Sequence, residues 1–412
     1  MSTVDLDRLV HPDEARRIVL SHARRLTTEH VALDEAAGRI LSEDVVAAED
    51  HPPFAAATMD GYAVVADDAS PWREVLGEQF AGQMLDLEVS DGAVVRIMTG
   101  APVPRGADAV VRVEATEPAE DHVVILQEQV APGENIRAVG SDLRQGDLVL
   151  AAGTELGPAE LGLVAGVGLV PVPVSARPRV SVVSTGDELV EPGEPLRPGQ
   201  IRDSNRFSLV AALVGAGATV VWSGKAPDSE RALRTLLEQR LGESDVVVTS
   251  GGVSMGDLDL VKPLLEDLAT VHFRRIFMKP GKPLNFATTA AGAVVFGLPG
   301  NPVSALVSFE TFIRPALRSM MGCSTIDRPR VRVSLGEETW PSDRIEMQRV
   351  TVRVDGEGKL VATSTGSQAS SRLASFLGAN ALLVVPPREE PYRSGERLDA
   401  ILLGLPIEGD VR

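Results

Sequence analysis

Residues 245–265, DVVVTSGGVSMGDLDLVKPLL, decide the reading of this chain. Val246, Val247 and Val248 stand in a row, the pattern of a strand buried on both faces, as in parallel sheets. The run breaks into Thr249-Ser250-Gly251-Gly252, and Asp257 and Asp259 follow within seven residues. A strand that runs into a small-residue loop makes room for an anion. Two carboxylates repel one. A phosphate carrying a divalent cation, or a ligand offering a hydroxyl as well, satisfies both.

The text on either side repeats the alternation. Strand RVSVVST (179–185) leads to helix SNRFSLVAALVGAGA, strand TVVWSG, helix DSERALRTLLEQRL and the opening strand. Beyond it come LDLVKPLLEDLA, VHFRRIFMKPGKPLNFAT, strand GAVVFGLPG and helix PVSALVSFETFIRPALRSM. Strands alternating with helical crossovers predict a doubly wound parallel α/β domain over 177–327. Residues 11–26 read as an amphipathic helix and 33–41 as a second short one. Short alternating runs between Gly and Pro predict an inserted β domain over 43–137. The helical text GPAELGLVAGVGL then rejoins the first helices, giving a discontinuous N-terminal domain from 1–42 and 138–176. RVRVSLGE, MQRVTVRVD, KLVATST and ALLVVPP predict a C-terminal β-barrel over 328–412. The fold class is α/β plus β, multidomain.

A length of 412 residues allows two to four domains, and 44% hydrophobic residues supply their cores. A net charge of -18 excludes a nucleic-acid binder, which needs a basic face to displace counterions. The single cysteine, Cys323, excludes a disulfide framework and a multi-cysteine metal site. The start MSTVDLDRLVHPDEARR lacks the basic-then-apolar order of a signal peptide. The most apolar long run, LGLVAGVGLVPVPV (161–174), is too short and too broken by Gly and Pro to span a bilayer. These features predict a cytoplasmic protein with no membrane partner.

In a doubly wound sheet, ligands bind outside the carboxyl ends of the strands. Three such ends carry unusual residues. One has Thr185, Gly186, Asp187 and Glu188; the second has Gly251, Gly252, Ser254, Asp257 and Asp259; the third has Gly297, Pro299 and Gly300. Asn301 then stands at the cap of a helix with Pro302 at its first position. Lys279 and Lys282, in MKPGKP, add positive charge in a loop stiffened by proline. Taken singly, each of these is a turn, a cap or a solvated loop. Together on one sheet edge they fit a phosphate, with Glu188, Asp257 and Asp259 as oxygen ligands of Mg²⁺. Outside the sheet, Asp60-Gly61 and Thr99-Gly100 read alone as turns, and Arg344, Arg349, Ser370, Ser371 and Arg372 as an anion site or a polar barrel rim.

MDGYA, TGAPVP, GADAVV, STGDEL, TSGGVSMGDLD, MKPGKP and GLPGNPVSA, in this order and spacing, resemble the molybdopterin molybdenumtransferase family, which comprises bacterial MoeA and the E domain of gephyrin. The resemblance runs essentially the whole length of the chain. It implies an elongated homodimer of four-domain subunits, whose third domain is similar to pterin adenylyltransferases. The implied reaction inserts molybdate into adenylylated molybdopterin, with Mg²⁺ assisting and AMP leaving. A pterin adenylyltransferase protein is an implied partner.

By motif, the resemblance carries over Asp60, Thr99, Asp142, Glu188, Asp228, Asp259, Lys279 and Lys282, with Arg349 and a serine at 370 or 371 on the C-terminal side. It implies metal or ribose contacts for Glu188 and Asp259, molybdate or phosphate contacts for the lysines, and metal or water positioning across the dimer for Asp60 and Thr99. Arg105 and Met347 depart from the residues common in the family at those places. A pterin adenylyltransferase and a non-catalytic scaffold remain as alternatives, and molybdenum and tungsten are not distinguished, because their oxyanions share shape and charge.

Overall fold

The computed structural model describes residues 6, 8–120, 122–227, 229–251 and 261–409, with the backbone alone at 261 and 262. A six-stranded sheet holds its centre, in the order Thr219–Lys225, Arg179–Ser184, Val246–Ser250, Val294–Leu298, Pro283–Thr288, Thr270–Arg275. The first four strands are parallel. Pro283–Thr288 runs antiparallel to both its neighbours, so the sheet is mixed rather than parallel throughout. The short link 289–293 explains this. A parallel crossover needs a dozen or more residues, whereas a few residues suffice for a hairpin.

Side chains alternate between two cores, as the strand period of two requires. Val180, Val182, Val246, Val248 and Phe296 pack with Leu209 and Leu213 of helix Asn205–Gly215 and with Val303 and Leu317. Val183, Val247 and Val295 pack on the other face with Leu233 and Leu237 of helix Glu230–Glu243 and with Leu264 and Leu265. Helices on both faces make the domain doubly wound. The segment expected as one helix over 302–320 is interrupted: Phe309–Ile313 is a π-helical segment between Pro302–Ser308 and Arg314–Met320. Pro315 has no N–H to give to a residue four back, and the wider turn absorbs the missing bond.

Thr28–Val31 pairs with Val172–Ser175, and Val45–Val46 with Leu148–Leu150. Ala36, Leu41, Leu156, Val164 and Val174 share one core. The helix expected over 33–41 is only a 3₁₀ turn, Leu33–Glu35. Gly38 adopts φ +68, and Ile40 and Leu41 bridge to Glu155 and Val174, so the backbone is already extended there. The inserted β region is a six-stranded sheet whose order starts at Ala109–Arg112, Gly61–Val64 and Ala93–Ile97. At the C-terminal end, Ile345–Val354 pairs with both Leu360–Ser364 and Ala381–Val385, and this double pairing closes a five-stranded barrel. Among the described residues, no helix is long and apolar enough to cross a membrane.

Candidate functional site

Register brings the three strand ends into one row. Ser184 is opposite Ser250, and Ser250 is opposite Leu298. The loops that follow stay in contact: Thr185 N–H donates to the Ser250 carbonyl at 2.9 Å, and Gly251 N–H to the Leu298 carbonyl at 3.0 Å. Gly251 sits at φ +90, and a Cβ there would collide with the Thr185 carbonyl oxygen. The Glu188 carboxylate folds over Gly186, filling the space a side chain at 186 would take. Gly252, Ser254, Asp257 and Asp259 lie outside the described residues, as does Asp228.

A cleft of about 720 Å³ opens at the next stretch of this edge. Its walls are Lys279 to Pro283, Pro299 to Asn301, Ser304, Arg344 and Gln368 to Ser371. It therefore lies between the α/β region and the barrel. A strand pairing and two hydrogen bonds join the two sides of that junction. Met278–Lys279 pairs in parallel with Ile345–Glu346, the Arg344 guanidinium donates to the Met278 carbonyl at 3.4 Å, and Val303 N–H donates to the Ser370 carbonyl at 3.1 Å. Asn301 occupies the cap position of helix Pro302–Ser308, yet its side chain makes no capping bond and lines the cleft instead.

Three cations face this space within a protein of net charge -18. Lys279 Nζ lies 3.2 Å from the buried carboxylate of Glu346. Arg344 Nε lies 3.0 Å from Asp343, whose carboxyl this bond holds below the usual aspartate range. Lys282 has no ion partner among the described residues. Ser370 and Ser371 line the cleft directly.

Arg349 does not line it. Its side chain is fully buried, with Nε donating to Ser375 Oγ at 3.0 Å and the guanidinium to the carbonyls of Met347, Ser367 and Ala369 at 3.4–3.5 Å. Burial pushes its pKa down. Gln368 bonds both backbone groups of Arg349, at 2.8 and 3.0 Å. Arg349 thus holds from behind the loop that presents Ser370 and Ser371.

Asp60 and Thr99 form a separate corner on the inserted sheet. Asp60 Oδ1 accepts from the Thr99 N–H at 2.7 Å and from its hydroxyl at 2.8 Å. The backbone bond first, then the hydroxyl, lowers the Asp60 pKa. Oδ2 takes no part in either bond. Neither residue lines the cleft. Asp142 is exposed on the returning segment, 3.8 Å from Arg137.

Four residues emerge only here. Asn205 Nδ2 bridges Ser250 Oγ at 2.9 Å and the Gly300 carbonyl at 2.8 Å, and its buried Oδ1 has no partner among the described residues. Ser304 and Gln368 line the cleft, and Glu346 anchors Lys279. The signal for Asn205 was a polar amide at the first position of a helix whose later turns are apolar. The signal for Glu346 was a carboxylate in the second residue of a barrel strand.

Matches to described families cover this architecture in three parts: the MoeA N-terminal region (domain I and II) over residues 10–168, a probable molybdopterin binding domain over 181–319, and the MoeA C-terminal region (domain IV) over 336–403. The chain is 41% identical to molybdopterin molybdenumtransferase 2 of Mycobacterium tuberculosis, over 93% of this chain and 97% of that protein. It is 36% identical to the molybdopterin molybdenumtransferase of Haemophilus influenzae, over 93% and 96%. It is 37% identical to gephyrin of Dictyostelium discoideum over 95% of this chain, and spans 62% of that longer protein. The crystal structure of the molybdopterin biosynthesis MoeA protein from Pyrococcus horikoshii superimposes with a TM-score of 0.81 at 31% identity, covering 96% of this chain and 100% of that one.

Proposed function

The chain belongs to the molybdopterin molybdenumtransferase family, and from that premise we propose that it inserts molybdate into adenylylated molybdopterin, releasing AMP and yielding the molybdenum cofactor. The observation that carries this reading is the cleft: Lys279, Lys282 and Arg344 converge beside a glycine-lined sheet edge in an acidic protein. Molybdate and a phosphoanhydride repel each other, and fixed cations offset that repulsion and the charge growing on the leaving phosphate. Lys279, Lys282 and Arg344 bind the oxyanion, with Ser304, Ser370 and Ser371 as hydroxyl partners. Thr185, Gly186, Gly251, Pro299, Gly300 and Asn301 line the approach for the pterin nucleotide, and Gly252, Ser254 and Asp228 are assigned to the same ligand by motif. Arg349 acts by holding the serine loop.

The donors present fit Mg²⁺, which takes hard oxygens. Asp60 is held ionised by Thr99 and keeps one oxygen outside those bonds, and Glu188 exposes its carboxylate. Asp60, Glu188, Asp257 and Asp259 would hold the ion, which when bound would neutralise phosphate charge.

The reading includes a homodimer. Helix Pro158–Gly166 is apolar nearly all round, yet buries only Val164, and Leu148, Leu163 and Val170 are exposed nearby. An apolar helix left at a surface marks a face that seeks a partner. A second copy would carry Asp60, Thr99 and Asp142 towards the first copy's cleft. A pterin adenylyltransferase is the partner whose product this site consumes, and the cytoplasm is the compartment. The test is AMP release by purified protein given adenylylated molybdopterin, Mg²⁺ and molybdate. Molybdate-dependent release, lost on chelation, is expected; nucleotide binding without release would sink the reading.

A further inference from the structure

Glu346 is a carboxylate placed among anion-binding groups, where it opposes the ligand. Its position is set by backbone, because Glu346 is the register partner of Lys279 in the parallel pairing that joins the barrel to the cleft loop. The Glu346 side chain is 4% exposed and that of Lys279 45%. A carboxylate removed from water needs a cation close by. Lys279 supplies it at 3.2 Å, and the buried charge of Arg349, further in, also attracts Glu346. The guanidinium of Arg349 directs its hydrogen bonds to carbonyls and to Ser375 Oγ. Charge therefore alternates from the interior to the cleft: Arg349 positive, Glu346 negative, Lys279 positive.

We propose that Glu346 is a positioning residue that holds the Lys279 ammonium ready for the reacting anions, and that it weakens resting anion binding in doing so. Lysine is a flexible point charge with three rotatable donors. An ammonium tethered by a buried carboxylate is pre-organised, and pre-organised charge lowers a barrier more than mobile charge does. The tether also competes with an incoming oxyanion for the same ammonium. Interactions stronger in the transition state than in the ground state raise turnover without tightening binding. Lys282, with no ion partner among the described residues, provides the contrast within the same loop.

The inference rests on the proposed transfer reaction, so the test separates the two. Molybdate affinity is measured by equilibrium dialysis on full-length wild-type protein, Glu346→Gln, Lys279→Ala and the double variant, alongside kcat and KM for AMP release. Glu346→Gln keeps the shape and removes the charge. It should bind molybdate about 3- to 10-fold more tightly while kcat falls about 10-fold or more. In the Lys279→Ala background the same substitution should change neither, because its effect passes through the lysine. Glu346→Asp, which keeps the charge on a shorter stem, should lose turnover without gaining affinity; it also serves if Glu346→Gln does not fold. Equal affinity in wild type and Glu346→Gln, or an equal loss of kcat with and without Lys279, would overturn the proposal. If wild type releases no AMP, the transfer reading fails, and the affinity difference still decides the role of Glu346.

Discussion

Lys279 and Asp60 both stand at strand ends and both carry charges held by a neighbour, but their surroundings differ. Lys279 belongs to a cleft whose two walls come from the same chain, sealed by strand pairing, by the Arg344 bond and by the Ser370 carbonyl. The Asp60 carboxylate is held by Thr99, on a sheet of its own, outside that cleft. The cleft has both its walls in place. The Asp60 corner is a prepared fragment: an ionised carboxylate with one oxygen in use. The contrast teaches that rigid local geometry does not make a site until a second wall faces it.

The largest expected effect tests the built half. Lys282→Ala should lower molybdate-dependent AMP release by about 10²- to 10³-fold, the scale for removing a fixed transition-state stabiliser. Its thermal unfolding should match wild type, since Lys282 is partly exposed and has no ion partner among the described residues.

The comparison breaks or holds on the second prediction. Asp60→Asn should also abolish most turnover with the fold intact. Mixing and reassociating Asp60→Asn with Lys279→Ala protein should then restore about a quarter of wild-type activity, because a two-fold dimer pairs one intact cleft with one intact corner in each mixed dimer. No recovery would mean that corner and cleft serve the same chain.

Arg349 offers a stability contrast with the cleft cations. Arg349→Met removes the buried guanidinium that bonds Ser375 Oγ and the carbonyls of Met347, Ser367 and Ala369, and should cost about 3 kcal/mol in denaturant unfolding. Lys282→Ala, at a partly exposed position with no ion partner among the described residues, should cost far less.

The smallest effect sharpens the corner. The Asp60 pKa is lowered, so the Asp60–Thr99 contact is complete at neutral pH and is lost as pH falls through that lowered value. Thr99→Val removes the hydroxyl bond and keeps the larger backbone one. Carboxyl titration by NMR should therefore show the pKa rising only part of the way to its ordinary value.

Much of the fold was legible in residues 177–327, because Val180, Val182, Val246 and Val248 declare buried parallel strands and the intervening helices are long. The antiparallel Pro283–Thr288 was not, because direction follows from the short 289–293 link and not from side-chain pattern. The helix expected over 33–41 was lost to extended pairing with distant Glu155 and Val174. Among site residues, the glycines and lysines stood out because turns and anions demand those residue types. Glu346 and Asn205 did not, because a carboxylate in a strand and an amide at a helix start are common. Arg349 read as part of an anion site or of a polar barrel rim because sequence gives charge and not depth.

What the sequence alone determined is therefore what local chemistry dictates: strand ends that stop in glycine, a proline-stiffened pair of lysines, and apolar periods that place helices on a sheet. Tertiary structure decided which charges meet the cleft. Burial and pairing depend on residues far apart in the chain, as when Lys279 meets Glu346 across a strand register, and Arg349 turns inward to hold the loop that Lys279 faces.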